Sequence, residues 1–261
     1  MPRTIYLDNN ATTRVAPEVL EVMLPFLGDS YGNPSSMHRF GGLIRKHLDQ
    51  AREQVAQLLN AQPSEIYFTG CGSESDNMAI QGFCREHKNR ARLITSAVEH
   101  PAVRNCCQYC KNEGAGLTEI GVDASGMLHP DALGKAVYDR DTLATFMWAN
   151  NETGVLFPIQ TLAHHAKENG AFFHTDAVQA VGKIAIDLQK TPVDMLSLAG
   201  HKLHGPKGIG ALFVRAKTKI APLIIGGHQE NGLRAGTENV ASIVGLGKAC
   251  ELARDAIATE N

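Results

Sequence analysis

The chain has 261 residues, of which 43% are hydrophobic and 20% are charged, so it can bury an ordinary globular core. Its formal net charge is -2 and it has no basic run, so charge gives no reason to expect a nucleic acid or an acidic membrane as a partner. The first residues reach Asp8 without an apolar stretch, and no segment approaches the roughly 18 apolar residues of a membrane span. Six cysteines without framework-like spacing predict free thiols in a reducing compartment. We therefore expect a soluble, cytoplasmic protein.

Short apolar and β-branched runs alternate with longer helical stretches, a pattern typical of a mainly parallel α/β sheet with helices on both faces. We predict strands at Glu65–Thr69, Arg92–Ser96, Leu117–Ile120, Thr142–Ala149, Ala171–Thr175, Met195–Leu198 and Gly210–Val214. We predict helices at Pro17–Leu24, Leu43–Leu59, Glu74–Cys84, Ala102–Asn112, Pro130–Val137, Ile159–Glu168 and Ala241–Thr259. This pattern predicts one large domain over residues 15–261, with residues 1–14 belonging elsewhere. The last helix runs close to Asn261 without a closing strand, and we expect the chain to be part of a longer protein.

Lys202 lies between a predicted strand end and a turn rich in glycine and proline. Open α/β sheets bind ligands at the carboxyl edge of their strands, where this lysine should lie. A lysine that attacks an aldehyde must be neutral, and His201 and Lys207 could help to lower its pKa. The alternative is an ordinary surface lysine in a loop.

Asp176 closes the predicted strand before the lysine strand, and Gln179 follows it. Pyridoxal phosphate acts as an electron sink while its ring nitrogen is protonated, and a fixed carboxylate such as Asp176 keeps it so. Gln179 could donate a hydrogen bond to the ring's phenolate oxygen. Position alone does not distinguish this role of Asp176 from that of a helix N-cap.

The segment Gly70–Asn77 follows the first predicted strand directly and reads GCGSESDN. Glycines let the backbone approach an anion, and the first N–H groups of the next helix then point at it, with Ser73 adding a hydroxyl. The segment lacks the third glycine of a dinucleotide fingerprint and the lysine of a nucleotide-binding loop. It therefore predicts a phosphate site of another kind, with a plain strand-to-helix turn as the alternative.

The cysteines at 106, 107 and 110 include a CxxC spacing, which invites a redox or metal interpretation. A structural zinc site needs four ligands, and no second pair stands at a matching spacing. A redox CxxC is expected at a helix start, whereas this one falls in the middle of a predicted helix. We interpret the group as a packed, inert cluster and predict no metal site. We interpret the pair His164–His165 as an exposed feature of a helix. His174 and Asp176 alternate along a strand and point the same way, but two ligands do not make a metal site.

Eight segments, in chain order, resemble cysteine desulfurases of the NifS/IscS type, which are fold-type I pyridoxal-phosphate enzymes. These segments are Tyr6–Thr13, Tyr31–His38, Gly72–Ile80, Glu99–Val103, Asn150–Gly154, His174–Gln179, Gly200–Gly208 and Gly226–Asn239. The resemblance covers nearly the whole chain. It implies the large cofactor domain of such an enzyme, with residues 1–14 joining a small domain that is otherwise missing at the C-terminal side.

The resemblance also assigns catalytic and ring-binding roles. Lys202 would hold pyridoxal phosphate as a Schiff base and later move protons at the substrate Cα. His100 would stack on the cofactor ring and act in acid–base steps, where the alternative is a satisfied histidine at a helix start. Asp176 would pair with the ring nitrogen, and Gln179 and Asn151 would bind the ring hydroxyl or the substrate carboxylate.

Gly72, Ser73 and His201 would hold the cofactor phosphate, and Thr237 would reach the phosphate of the partner subunit, because the family forms homodimers. Ala199 stands where the family often has a serine whose hydroxyl touches the phosphate. Only its backbone can contribute here. The family's nucleophilic cysteine and the arginine that binds the substrate carboxylate belong to a C-terminal part that this sequence does not include.

The resemblance implies an enzyme that converts L-cysteine to L-alanine and passes sulfur, as a persulfide, to an acceptor or scaffold protein for iron–sulfur cluster assembly. This chain by itself is then expected to bind cofactor and to have little activity. One alternative is a selenocysteine lyase or another β-eliminating enzyme on the same fold. Another is a non-catalytic subunit that keeps the dimer surface.

Overall fold

The computed structural model describes residues 5–128 and 139–260. The strands in these ranges are β1 Ile66–Thr69, β2 Arg92–Ser96, β3 Gly116–Ile120, β4 Thr142–Met147, β5 Phe172–Asp176, β6 Met195–Ala199 and β7 Gly210–Val214. The α-helices are α1 Pro17–Met23, α2 Arg39–Leu59, α3 Gly72–His87, α4 Pro101–Asn112, α5 Ile159–Glu168 and α6 Val240–Glu260. The helix predicted at Pro130–Val137 lies outside the described residues.

The strands form one sheet in the order β1-β7-β6-β5-β4-β2-β3. The pairs β2–β3, β2–β4, β4–β5 and β5–β6 are parallel, whereas β7 is antiparallel to both β6 and β1. Two antiparallel pairings in succession give β1 the same direction as β6. The prediction of a mainly parallel sheet is confirmed.

Apolar residues on neighbouring strand positions pack on opposite faces of the sheet. On β7, Phe213 belongs to the core that includes residues of α2, α5 and α6, and Leu212 belongs to the core built with α3 and α4. Such near-continuous apolar strands are expected where both faces are covered. Each fully buried Phe or Leu side chain stabilises the fold by about 1.5–3 kcal/mol. The predicted placement of helices on both faces is therefore confirmed.

Some helix and strand bounds differ from the predicted ones for local reasons. Helix α2 begins at Arg39 rather than Leu43, because Nδ1 of His38 caps it by accepting from the N–H of Gly41 at 3.2 Å. Strand β4 ends at Met147 rather than Ala149, which instead forms an isolated bridge with Leu156. Helix α3 spans Gly72–His87 and is longer at both ends than the predicted Glu74–Cys84.

The carboxyl ends of β1, β2, β4, β5 and β6 meet at one edge of the sheet, because these strands run in the same direction. In open α/β sheets this edge is where ligands bind. The segments that follow these strands carry the predicted site residues. None of the helices within the described ranges has the length and hydropathy needed to cross a membrane.

Candidate active site

A cavity of about 670 Å³ lies at the carboxyl edge of the sheet. The predicted site residues in its wall are Gly72, Ser73, His100, Asn151, Asp176, Gln179, Ala199, His201 and Lys202. They come from five different strand ends, so the sheet itself brings them together. Some were predicted from local motifs and others, such as His100, Asn151 and Ala199, from the family resemblance; the cavity supplies the spatial relationship that both lack.

Lys202 lies in a short turn directly after β6. Its Nζ donates to the main-chain carbonyls of Asn10 and Ala11, at 3.0 Å for the latter. Burial lowers the pKa of Lys202, and the negative charges of Asp176 and Asp8 oppose that shift. The amine is thus closer to its neutral, nucleophilic form than a free lysine is.

Asp176 ends β5 and is buried, with 6% of its surface exposed. Its Oδ1 accepts from the N–H of Val178 at 2.9 Å, and residues 177–182 form turns rather than a helix. The carboxylate therefore stabilises an Asx turn and is not a helix N-cap. Burial raises the pKa of Asp176, while the charges of His100 and Lys202 lower it. A buried carboxylate of this kind is stabilised strongly by a cation at hydrogen-bonding distance.

Helix α3 begins at Gly72, and the residue before it, Cys71, makes no side-chain capping bond. The N–H groups of the first turn and the exposed hydroxyl-bearing side chain of Ser73 thus border the cavity. Together with the positive end of the helix dipole, they suit an anion. A Cβ added at Gly72 would meet Cγ2 of Val178 at 2.8 Å, so the close packing requires glycine.

The position of His100 suits both a histidine that caps a helix start and a residue that contacts a ligand in the cavity. Its Nδ1 accepts from the N–H of Ala102 at 3.1 Å and caps α4, while the side chain also borders the cavity. Since Nδ1 is the acceptor, the neutral ring carries its proton on Nε2. Nδ1 of His201 shares a hydrogen bond of 3.1 Å with the hydroxyl of Thr12, and burial together with Lys202 and Lys207 lowers the pKa of His201.

Two buried carboxyl groups close to Asp176 were not predicted. Asp76 borders the cavity at 1% exposure, and its Oδ1 has no hydrogen-bond partner among the described residues. Glu99 accepts from the hydroxyl of Ser96 at 2.5 Å, and burial raises the pKa of Glu99 to about 8. Burial, followed by the charge of Asp176, also raises the pKa of Asp76. Burial raises the pKa of all three carboxyl groups, but only for Asp176 do nearby cationic groups, His100 and Lys202, oppose that rise.

His174, two residues before Asp176 on β5, supports the floor of the site. Its ring nitrogens share hydrogen bonds with the hydroxyls of Thr145 at 2.8 Å and Ser197 at 3.0 Å. Burial lowers the pKa of His174 to about 3. Because the ring is neutral, its 3.8 Å approach to Asp76 is not an ion pair. It ties β4, β5 and β6 together beneath the cavity.

The segment 1–14, which we predicted to join a separate small domain, contributes residues to the cavity wall. Asp8, Asn10 and Ala11 border the cavity. Both the N–H and the hydroxyl of Thr13 donate to the carbonyl of His201, at 2.9 and 3.0 Å. The sequence feature that pointed to this segment was the motif at Tyr6–Thr13. That motif contributed to the family resemblance, but it did not predict where the segment lies in the fold. The division into residues 1–14 and 15–261 stays a prediction.

Gln179 and Asn151 are held by neighbours at the cavity wall. Gln179 donates from Nε2 to the carbonyl of Asn10 at 2.9 Å and accepts from Lys183 at 2.6 Å. Asn151 donates to Oε1 of Glu152 at 2.8 Å. Each amide nitrogen has a second proton with which to bind a ligand.

Thr237 lies apart from the other predicted site residues. It borders a separate cavity of about 150 Å³ together with Gly70, Glu230 and Arg234. This position is compatible with a role toward a second copy of the chain, and that role stays a prediction.

The residues at the main cavity fit pyridoxal phosphate by their chemistry. They include a lysine amine of lowered pKa, a buried carboxylate and a helix start without a side-chain cap. A carboxylate suits a protonated ring nitrogen, and the helix start suits a phosphate. No group of three His, Cys, Asp or Glu side chains in the described ranges is arranged to hold a metal ion.

These features define an open α/β domain whose carboxyl edge carries a cavity lined by a lysine and by a helix start without a side-chain cap. The family model for class-V aminotransferases matches residues 5–261, and the chain belongs to that family, whose members depend on pyridoxal phosphate.

Relatives of this chain include "Cysteine desulfurase 1" of Trichormus variabilis, at 54% identity over 248 residues. They also include "Cysteine desulfurase NifS" of Azotobacter vinelandii, at 50% identity over 258 residues. The matches cover 95% and 98% of this chain, but 62% and 64% of those proteins. The chain thus spans less than two thirds of the length of these relatives.

Two solved structures are similar over almost all of this chain. One is called a "NIFS-LIKE PROTEIN", with a TM-score of 0.94 and 41% identity over 98% of this chain and 71% of that one. The other is described as "SspA in complex with cysteine", with a TM-score of 0.92 and 44% identity over 95% of this chain and 72% of that one. Both likenesses agree with the predicted fold.

Proposed function

We propose that this chain is the cofactor-binding part of a pyridoxal-phosphate-dependent cysteine desulfurase. The observation that carries the proposal is the meeting of Lys202, Asp176 and the start of α3 in one cavity. The resemblance of the chain to proteins named cysteine desulfurase supports the choice of reaction. The cofactor, when bound, supplies an electron sink for the bond-breaking at the substrate Cα.

Each residue of the site has a role that its surroundings suit. Lys202 would hold the cofactor through its amine, because burial lowers the pKa of that amine and so favours its neutral form. Asp176 holds a proton on the ring nitrogen by its negative charge. The N–H groups at Gly72 and Ser73, with His201, bind the phosphate. Ala199, with 1% of its surface exposed, contributes its backbone and the shape of the wall.

His100 and Lys202 move protons. Because Nδ1 of His100 accepts from the N–H of Ala102, the neutral ring has its proton on Nε2, which could donate that proton to a ligand in the cavity that His100 borders. Asn151 and Gln179 orient the ring hydroxyl or the substrate carboxylate through their amide groups. L-cysteine is the proposed substrate, and one structural neighbour was solved with cysteine.

The acceptor of the sulfur is proposed to be a scaffold or carrier protein for iron–sulfur cluster assembly, and the complete enzyme a cytoplasmic homodimer in which Thr237 reaches the second site. For the chain by itself, we expect cofactor binding with little sulfide release.

The test is to incubate the chain with pyridoxal phosphate, reduce it with borohydride and map the labelled peptide. We expect the label on Lys202 and its loss in Lys202→Ala. Lys207→Ala is the matched control, because Lys207 lies exposed in the same loop and does not border the cavity. A label on Lys183, which contacts Gln179, or a label that survives in Lys202→Ala, would contradict the assignment.

A second arm tests the carboxylate and the substrate. Asp176→Asn should weaken cofactor binding by about tenfold or more, since a charge-assisted partner of the ring nitrogen is lost. Adding L-cysteine to the loaded chain should change its visible absorption, whereas L-serine should change it less. Equal responses to the two amino acids would argue against a desulfurase and for a less selective enzyme of the same fold.

A further inference from the structure

Four of the six cysteines lie where α3 packs against α4: Cys84 on α3, and Cys106, Cys107 and Cys110 on α4. The three on α4 are buried, as predicted for this group, and all four are free thiols; the prediction that the group is inert is not tested by their burial. Their contacts are not equivalent. The thiols of Cys84 and Cys106 both hydrogen-bond to the sulfur of Cys110.

The contacts within the cluster favour ionisation of one of the three thiols of Cys84, Cys106 and Cys110. The hydrogen bonds from Cys106 and Cys84 lower the pKa of Cys110, and the charge of Arg85 adds to this effect. The same contacts, with burial, raise the pKa of Cys84 and of Cys106. The negative charge of a thiolate is best stabilised on Cys110, because among these three cysteines Cys110 is the one that contacts both of the other sulfurs. A thiolate is the reactive form of cysteine.

A small reagent has a route to this sulfur. Cys84 and Cys110 border a cavity of about 180 Å³ whose wall also includes Gln81, Arg85 and Tyr109. Cys84 is half-buried and Tyr109 is exposed, so the cavity is reached from the surface between the helices. Its volume admits a water-sized or peroxide-sized molecule.

Geometry selects which two sulfurs can become linked. Cys106 and Cys110 stand four residues apart on α4, where Cβ atoms are about 5–6 Å apart. A disulfide needs Cβ atoms about 3.5–4.5 Å apart, so the pair within the helix is disfavoured. Cys84 and Cys110 stand on different helices and border the same cavity, so the helix geometry that disfavours the first pair does not apply to them. No group of three ligands in the described ranges is arranged for a metal ion.

We propose that Cys110 and Cys84 form a redox-active pair that a small hydroperoxide oxidises to a reversible disulfide between α3 and α4. The Cys110 thiolate attacks the terminal peroxide oxygen, the O–O bond breaks, and the alkoxide or hydroxide leaves as Cys110 becomes a sulfenic acid. The sulfur of Cys84 then displaces water and forms the S–S bond. Overall two thiols and one hydroperoxide give one disulfide, one alcohol or water, and one water.

The link would join α3, whose first turn contains Ser73, to α4, whose N-cap is His100; both of these residues border the main cavity. The proposal is independent of the proposed function, because it concerns only thiols outside that cavity.

The test treats the chain with hydrogen peroxide and maps disulfides under non-reducing conditions. We expect a peptide carrying Cys84 joined to the peptide carrying Cys106, Cys107 and Cys110, and its separation by dithiothreitol. Cys110→Ser and Cys84→Ser should each abolish the link, whereas Cys106→Ser, Cys107→Ser and the distant Cys250→Ser should keep it. Circular dichroism of each variant establishes that it is folded.

Cys84→Ser adds a second readout that does not depend on the disulfide. In this variant the sulfenic acid has no resolving thiol, so dimedone should label Cys110. A link within the α4 peptide alone, a dimedone label confined to the exposed Cys71, or oxidation only after unfolding would overturn the proposal.

Discussion

Arg234 binds Glu74 through two hydrogen bonds, from Nε to Oε1 at 2.7 Å and from Nη2 to Oε2 at 3.3 Å. Glu74 stands beside Ser73 in the first turn of α3, and its Oε2 also accepts from the N–H of Gly70 at 2.9 Å. Arg234 stands three residues before Thr237. The ion pair therefore ties the segment that carries Thr237 to the loop proposed to bind phosphate.

The first prediction concerns the strength of this ion pair. Both side chains are partly shielded, with 24% and 18% of their surface exposed, so the pair should be worth more than an ordinary surface pair. We expect Glu74→Gln and Arg234→Gln each to lower the free energy of unfolding by about 1 kcal/mol or more, with a coupling energy near 1 kcal/mol.

A double-mutant cycle in urea measures that coupling. The control cycle uses Arg254 and Asp255, an ion pair with 41% and 64% exposure, where the coupling should be close to zero. Equal coupling in the two cycles would show that Arg234 does not hold the loop.

The second prediction concerns Glu99 and pH. The pKa of Glu99 is raised by burial from 4.5 to about 8, so the folded state binds a proton more tightly than the unfolded state. The stability that this provides is complete below pH 4.5 and is lost as the pH rises toward 8. Between pH 6 and pH 8 the loss should approach about 2 kcal/mol, at about 1.4 kcal/mol per pH unit.

Glu99→Gln removes the ionisable group and keeps a similar shape. We expect its free energy of unfolding to fall less than that of the wild type between pH 6 and pH 8, as measured by urea titration. Glu53→Gln, at an exposed position of α2, should follow the wild type. His174 contributes the same slope to all three proteins and cancels in the comparison. Parallel curves for Glu99→Gln and the wild type would contradict the assignment.

The third prediction compares adjacent glycines in α2. A Cβ at Gly41 would lie 2.6 Å from the carbonyl oxygens of Asn33 and Ser36, whereas a Cβ at Gly42 meets nothing within 4 Å. Gly41→Ala should destabilise the protein by about 1–3 kcal/mol through backbone displacement. Gly42→Ala should stabilise it by about 0.5–1 kcal/mol through helix propensity. Thermal unfolding of the two variants measures the contrast, and a shift in the same direction for both would refute the packing at Gly41.

The sequence by itself determined the type of most elements and the identity of half of the residues that line the cavity. Strands buried on both faces read as apolar runs, and helices follow them at regular intervals, so local periodicity was sufficient for β5, β6 and β7. The residues after each strand carried recognisable chemistry, as with Lys202 after β6 and Asp176 at the end of β5. These signals come from residues that are close together in the sequence, so they can be recognised without knowledge of the fold.

Only the tertiary structure decided how distant segments meet. It placed the carbonyls of Asn10 and Ala11 on Lys202, across 192 and 191 residues of sequence, and it set Thr237 beside a different cavity. It also buried Asp76 next to the site and gathered Cys84 with Cys110 from two helices. Such contacts depend on strand order and helix packing, which the spacing of residues within a motif does not encode. The lowered pKa of Lys202 arises from burial, which depends on such long-range packing and not on the residues beside the lysine in sequence.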